Sequence, residues 1–175
     1  MVDFVAKELA SGKIIAWFQG RMESGPRALG NRSILMSPIN AGNKDIINSR
    51  VKFREAFRPF CPSILYEEKE EYVEYARDEL YMITSFNCIP VKRLAIPAVV
   101  HTDFTLRPQM VKKEINLKFW ELINAFGKLT GEYVLLNTSM NIMGEPIINH
   151  PREAIRCFYD NGIDFLVMND FILEK

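Results

Sequence analysis

Three short apolar runs constrain this chain most: Ile14-Ile15-Ala16-Trp17-Phe18, Tyr133-Val134-Leu135-Leu136 and Phe165-Leu166-Val167-Met168. None carries a charge, and each is too short for a typical buried helix, so they read as strands covered on both faces. Between and around them the spacing turns helical. Over 116–129, Phe119, Leu122, Ile123 and Phe126 fall at core spacing, with Gly131 beyond the end. Residues 3–11 put Phe4, Val5 and Leu9 on one face and stop at Gly12. Helices are also expected over 43–51, capped near Gly42 or Asn43, and over 151–160, with Pro151 in the first turn. An acidic amphipathic helix is expected over 67–76. Further strands are expected at 33–36, 63–66, 81–86, 98–102 and 171–173, with a linker or short helix over 90–97. Strands and helices alternate loosely, and several strands are separated only by turns. This predicts an α/β (α+β) fold with a mixed, twisted sheet, and 175 residues suffice for one domain with a real core.

The charges, 22 basic and 22 acidic, sum to zero, which gives no global case for a nucleic-acid or membrane partner. They are unevenly placed, however. Arg21, Arg27, Arg32, Arg50, Lys52, Arg54 and Arg58 crowd the first third, whereas 67–79 is acidic. That asymmetry points to a local anion site rather than a polyanion-binding face. Cys61, Cys88 and Cys157 are widely spaced, and His101 and His150 are far apart. Neither a structural zinc site nor a disulfide framework is expected. Buried free thiols in a reducing, cytoplasmic compartment are the reading, with no signal peptide and no bilayer-spanning run. Trp17 and Trp120 both lie in apolar periodic segments and are assigned to the core.

Four stretches carry candidate chemistry. The first, 20–33, follows directly on the first apolar run and holds Arg21, Arg27 and Arg32 among three glycines and a proline. Glycines let a backbone approach a ligand, and arginine forks fit phosphate or carboxylate oxygens. The plain alternative is a surface turn with solvated arginines. The second, 52–60, alternates basic and aromatic residues. It could be an edge strand, but Pro59 and Pro62 favour a loop that aims Lys52, Arg54 and Arg58. The third, 103–109, is a polar turn and strand carrying Arg107. In the fourth, Asn137, Ser139 and Asn141 stand just past a buried strand, where they could bind phosphate or nucleotide, or merely cap a turn.

Taken in order, these stretches resemble a known family. The segment from Gly20 to Leu35, then Asn48-Ser49-Arg50-Val51-Lys52-Phe53-Arg54 with Phe57-Arg58-Pro59-Phe60, match it. So do His101-Thr102-Asp103 with Arg107-Pro108-Gln109, and Leu135 to Asn141 with Gly144-Glu145-Pro146-Ile147. They are similar to the C-terminal, YrdC-like domain of O-carbamoyltransferases, which act on nodulation factors and antibiotics. The resemblance implies a YrdC-like twisted mixed β-sheet flanked by helices. It also implies that 1–175 form one domain of a longer two-domain enzyme. Carbamoyl phosphate and ATP, with Mg²⁺, would give carbamoyl-adenylate. A separate N-terminal domain of the actin-like ATPase fold, holding a metal, would pass the carbamoyl group to a hydroxyl.

Lys52 and Arg54 match the family's K-x-R element, and Ser139 and Asn141 its S-x-N element. With Arg58 these two cations are the implied catalytic residues. Arg21, Arg27, Arg32, Arg107, Asn137, Ser139 and Asn141 are the implied substrate and ATP ligands, with no protein metal site assigned; Asp103 or Glu145 are weak candidates for assisting Mg²⁺. Joining two anions calls for fixed cations, positioning and charge stabilisation. As exposed phosphate cations, Lys52 and Arg54 should be removable at little stability cost, so Lys52→Ala and Arg54→Ala are expected to leave the fold intact. The chain departs from the family pattern at Ser24 (usually aromatic), Phe104 (commonly glycine), Met140 (commonly phenylalanine) and Met143 (commonly arginine). The competing reading is a non-catalytic module of the same fold that holds nucleotide, or RNA through a basic face; zero net charge argues against RNA.

Overall fold

The computed structural model describes residues 1–142 and 144–175; Met143, with its departure from the family pattern, lies outside the described residues. Seven strands form one mixed sheet: β1 (Ile15–Phe18), β2 (Arg32–Met36), β3 (Cys61–Leu65), β6 (Gln109–Val111), β7 (Val134–Ser139), β8 (Phe165–Met168) and β9 (Phe171–Glu174). Their spatial order is β6-β3-β7-β2-β1-β8-β9. The β1–β8 and β3–β6 pairs are parallel and the remaining pairs antiparallel. A two-stranded ribbon, β4 (Phe86–Asn87) with β5 (Thr105–Leu106), stands apart.

Alternation along the central strands sends side chains to two cores. Ile15, Trp17, Leu35, Leu135 and Val167 meet α1 (Val2–Ala10) and α4 (Leu117–Thr130) on one face. Ile14, Ala16, Ile34, Leu136 and Leu166 meet α2 (Asn43–Ile47) and α5 (Pro151–Asp160) on the other. A strand covered on both sides has no polar face to show, which is why these runs are uninterrupted. Helix α4 follows its sequence signals closely. Asn116 caps it by accepting from Phe119 N, Gly131 closes it at φ 83°, and Phe119, Leu122, Ile123 and Phe126 are fully buried. Each contributes about 2 kcal/mol through burial.

Several expectations fail locally. The expected strand at 81–86 is a turn as far as Ser85, and only Phe86 is extended, opening β4. The Glu79 carboxylate accepts from the N–H groups of Tyr81, Ile83 and Thr84, and Met82 sits at φ 57°, so the backbone spends its donors on one side chain instead of a ladder. Burial pushes the Glu79 carboxyl up, but those hydrogen bonds outweigh it and hold the group below its usual range. The expected strand at 98–102 is a 3₁₀ turn, Pro97–Val99, followed by irregular chain. The acidic helix shrinks to a 3₁₀ turn, Tyr66–Glu68, and a single α turn, α3 (Lys69–Tyr72). Val73 then turns extended and pairs with Cys88. Pro62, expected to break structure, lies inside β3. It faces Leu136 of β7 at a point where β6 has not yet begun to pair, so its missing N–H is tolerated. Trp120 is half-buried, its indole N–H donating to Glu67, whereas Trp17 is fully buried. The three cysteines are free and buried.

Candidate functional site

One end of the sheet gathers the candidate residues. It holds the C-terminal ends of β1 and β7 and the N-terminal ends of β2, β3 and β6. Strand β7 runs further than expected, through Asn137, Thr138 and Ser139, so these are strand residues rather than a following turn.

After α2 the chain continues as a π turn, Asn48–Lys52, and then reverses at Phe53, a non-glycine residue at φ 47°. Buried Asn48 holds the next loop. Its Nδ2 donates to the carbonyls of Ala56 and Arg58, and its Oδ1 accepts from Arg54 Nε at 2.7 Å. The Arg54 guanidinium lies 4.7 Å from the Phe60 ring centre, and a second nitrogen donates to the Pro59 carbonyl. Burial, then repulsion from Arg58, lowers the Arg54 pKa.

Lys52 is buried, contrary to the expectation of an exposed cation. Its Nζ donates to Ser139 O at 2.5 Å and Asn141 Oδ1 at 2.7 Å, with Ser139 Oγ at 3.4 Å. Ser139 Oγ also donates to Asn141 Oδ1, and Asn141 Nδ2 to Glu145 O. The two motifs named in the sequence are thus one hydrogen-bonded unit, with a lysine tying two strand-end polar residues. Burial drives the Lys52 pKa down to about 8; the nearby Cys157 thiol opposes this and Arg54 adds to it.

The glycine–arginine loop is organised by Glu23, which the sequence reading did not single out. Its Oε1 accepts from the N–H groups of Leu29, Asn31 and Arg32, closing the loop round one carboxylate oxygen. Gly30, at φ 105°, lies directly on the Phe119 ring, where a Cβ would overlap it. The segment around His101 is a turn that delivers Arg107. Asp103 accepts from the N–H and hydroxyl of Thr105, and Phe104 sits at φ 62°. A glycine at that position would adopt this conformation without strain, which is a reason for glycine there; nothing in the structure explains why this chain has Phe104 instead.

Two adjoining cavities open here. The larger, about 550 Å³, is lined by residues including Lys52, Phe53, Arg54, Arg58, Ser139 and Asn141. The smaller, about 130 Å³, is lined by residues including Arg27, Arg54, Cys61, Arg107, Asn137 and Ser139. Arg54, Thr138 and Ser139 line both. Arg58 pairs with Glu55 at 3.1 Å with both side chains half-exposed, and Arg107 donates to Cys61 Sγ through Nε and Nη2. Eight of the ten candidate residues therefore line one crevice or the other; Thr138 and Phe53 join them unforeseen.

Arg21 and Arg32 line neither cavity. Arg21 is exposed. Arg32 is buried over the Phe18 ring and gives Nη1 and Nη2 to the carbonyls of Gln19, Gly20, Asn31 and Asn149, so those donors are taken by the fold; its buried Nε has no partner among the described residues. Burial lowers its pKa, with Glu23 opposing. The acidic candidates are engaged too: Glu145 pairs with Arg156 at 2.7 Å, and Asp103 serves its turn. Among the described residues no group of three or more His, Cys, Asp and Glu stands together. No described helix is long and apolar enough to cross a membrane.

This arrangement of sheet and flanking helices is the YrdC-like fold. It superposes with a TM-score of 0.64 on full-length HypF in its phosphate- and nucleotide-bound form, at 17% identity over 97% of this chain and 25% of that one. It also matches a P. abyssi Sua5 variant, with a TM-score of 0.58 and 16% identity over 98% of this chain and 51% of that one. Residues 6–175 match the family described as carbamoyltransferase C-terminus, and the chain belongs to that family. Among its relatives are the nodulation protein NolNO of Sinorhizobium fredii, 46% identical over 97% of this chain and 25% of the relative. Another is a 3'-hydroxymethylcephem-O-carbamoyltransferase of Amycolatopsis lactamdurans, 35% identical over 96% of this chain and 32% of the relative. The chain thus spans about a quarter to a third of the length of such relatives.

Proposed function

We propose that this chain is the domain of an O-carbamoyltransferase that binds carbamoyl phosphate and ATP and forms carbamoyl-adenylate. The observation that carries the reading is the pair of cation-lined cavities sharing Arg54, Thr138 and Ser139. A volume of about 550 Å³ suits a nucleotide, and the smaller space beside it suits a compact acyl phosphate. Two polyanions repel, and here Arg54 sits between them, flanked by Arg27 and Arg107 on one side and Lys52 and Arg58 on the other. Catalysis would consist of alignment and charge neutralisation by groups already in place. Mg²⁺, carried in on ATP, would neutralise the phosphates of the leaving group.

The balanced reaction consumes water. Carbamoyl phosphate is cleaved to carbamate and inorganic phosphate. A carbamate oxygen then attacks the α-phosphorus of ATP, and pyrophosphate leaves. Transfer from carbamoyl-adenylate to a hydroxyl falls to the N-terminal, metal-holding domain, and the greater length of the relatives supports a second domain in cis. The test is ³¹P NMR of the protein with carbamoyl phosphate, ATP and Mg²⁺. Phosphate and pyrophosphate should appear in equal amounts, with pyrophosphate absent when either substrate is omitted. Pyrophosphate at the same rate without carbamoyl phosphate, or ADP as product, overturns the reading.

A further inference from the structure

Asn137 lies on β7 beneath the glycine–arginine loop, 2% exposed, and lines the smaller cavity. Its neighbours fix how the amide lies. Nδ2 donates to the Ala28 carbonyl at 3.1 Å and to Ser63 Oγ at 2.9 Å. A carbonyl cannot donate, so the nitrogen must be the atom facing the loop. Ser63 Oγ passes its own proton to Gln109 Oε1 at 2.7 Å, and Gln109 Nε2 donates to the Leu29 carbonyl at 2.8 Å. Backbone carbonyls pin both ends of this relay, so neither amide can turn over. What remains is Asn137 Oδ1, a buried acceptor with no hydrogen-bond partner among the described residues. Buried polar atoms are ordinarily paired. This one belongs to a residue lining a cavity that Arg27, Arg54 and Arg107 also line. Those cations supply donors for phosphate and carbonyl oxygens; Oδ1 supplies the opposite function.

We propose that Asn137 Oδ1 accepts an N–H of the carbamoyl group and so selects carbamoyl phosphate over acyl phosphates that lack an amide-type nitrogen. The inference rests on the carbamoyl phosphate reading above and names its specificity residue. A carbamoyl nitrogen is planar, donates through both hydrogens and accepts nothing, which complements a fixed amide oxygen. Acetyl phosphate has the same outline, with a methyl group in place of the NH₂, and it would leave Oδ1 unpaired. Sites built to receive an N–H penalise the analogue without one. The contact orients and selects; no bond to Asn137 is made.

The test is titration of the protein with carbamoyl phosphate, acetyl phosphate and inorganic phosphate, in the wild type and in Asn137→Ala. The wild type should bind carbamoyl phosphate roughly 10- to 100-fold tighter than acetyl phosphate, with inorganic phosphate close to acetyl phosphate. In Asn137→Ala that ratio should fall to about one. A purely structural role for Asn137 would weaken all three ligands together and preserve the ratio, and this result overturns the inference. Equal affinity for the two acyl phosphates in the wild type also overturns it, even if Asn137→Ala does not fold. That outcome leaves the carbamoyl phosphate reading standing, because the ligands still bind. Binding of none of the three overturns both.

Discussion

Burial of Lys52 should write a pH signature into ligand binding that a solvated lysine could not produce. With its pKa at about 8, the free protein holds this side chain roughly three-quarters neutral at pH 8.5 and about one-tenth neutral at pH 7. An ATP polyanion in the adjoining cavity favours the ammonium and draws the missing proton back from solvent. Binding should therefore take up roughly 0.7 proton at pH 8.5 and about 0.1 at pH 7. Calorimetric titration in buffers of differing ionisation enthalpy reads this number directly. In Lys52→Met the difference between the two pH values should vanish. Equal uptake at pH 7 and 8.5 in the wild type, or the same difference in Lys52→Met, refutes the reasoning. Folding stability carries the opposite sign. The folded pKa of about 8 lies below the 10.5 of an unburied lysine in the unfolded chain, so across that window the unfolded state holds more protons and the contribution of Lys52 to stability rises with pH. Below pH 8 the full cost of burying the charge, about 3 kcal/mol, is present. Removing the ammonium relieves that cost but strands Ser139 O, at about 1–3 kcal/mol, whereas Asn141 Oδ1 keeps the Ser139 hydroxyl as donor. Because these terms offset, Lys52→Met should remain folded, now for a reason other than exposure.

Other substitutions probe the scaffold and the smaller cavity. Gly30→Ala puts a methyl into the Phe119 ring at φ 105°; thermal unfolding should report a loss of roughly 3 kcal/mol, and an unchanged midpoint would contradict the close approach. Tyr72→Phe removes a buried hydroxyl that donates to Glu132 and accepts from Tyr133 N, so chemical denaturation should show a loss of about 1–3 kcal/mol. Arg107→Ala should weaken inorganic phosphate binding roughly 10- to 100-fold and ATP binding much less, as read by titration; equal losses for both would mean the two cavities are not separate subsites.

Much of this arrangement was legible in the sequence, and the parts that were not share a physical cause. The apolar runs declared the central strands because a fully buried strand can tolerate nothing else. Asn116, Gly131 and Pro151 marked helix ends through local chemistry. Where one side chain reorganises distant backbone, the local pattern misleads. Tyr81 and Ile83 look like strand residues, yet Glu79 gathers the N–H groups of Tyr81, Ile83 and Thr84. Nothing in the sequence says that Arg32 faces four carbonyls while Arg27 and Arg107 face a cavity, since all three sit in similar polar company. Motif matching brought Lys52 and Arg54 together with Ser139 and Asn141. It could not reveal that the lysine ties the other motif directly, because that contact spans 87 residues. Glu23 and Asn48 left faint signals: a carboxylate amid glycines and arginines, and an amide among the inward residues of a helix.

On the proposed function, one crevice holds both anions side by side, with Arg54 between them. The most direct measurement is calorimetric titration of ATP with Mg²⁺, with and without saturating carbamoyl phosphate, on the wild type and Arg54→Ala. ATP should bind, its affinity should change when carbamoyl phosphate occupies the neighbouring cavity, and Arg54→Ala should abolish the linkage while remaining folded. Competition between the two ligands for a single site, or full linkage retained in Arg54→Ala, would contradict the proposed function.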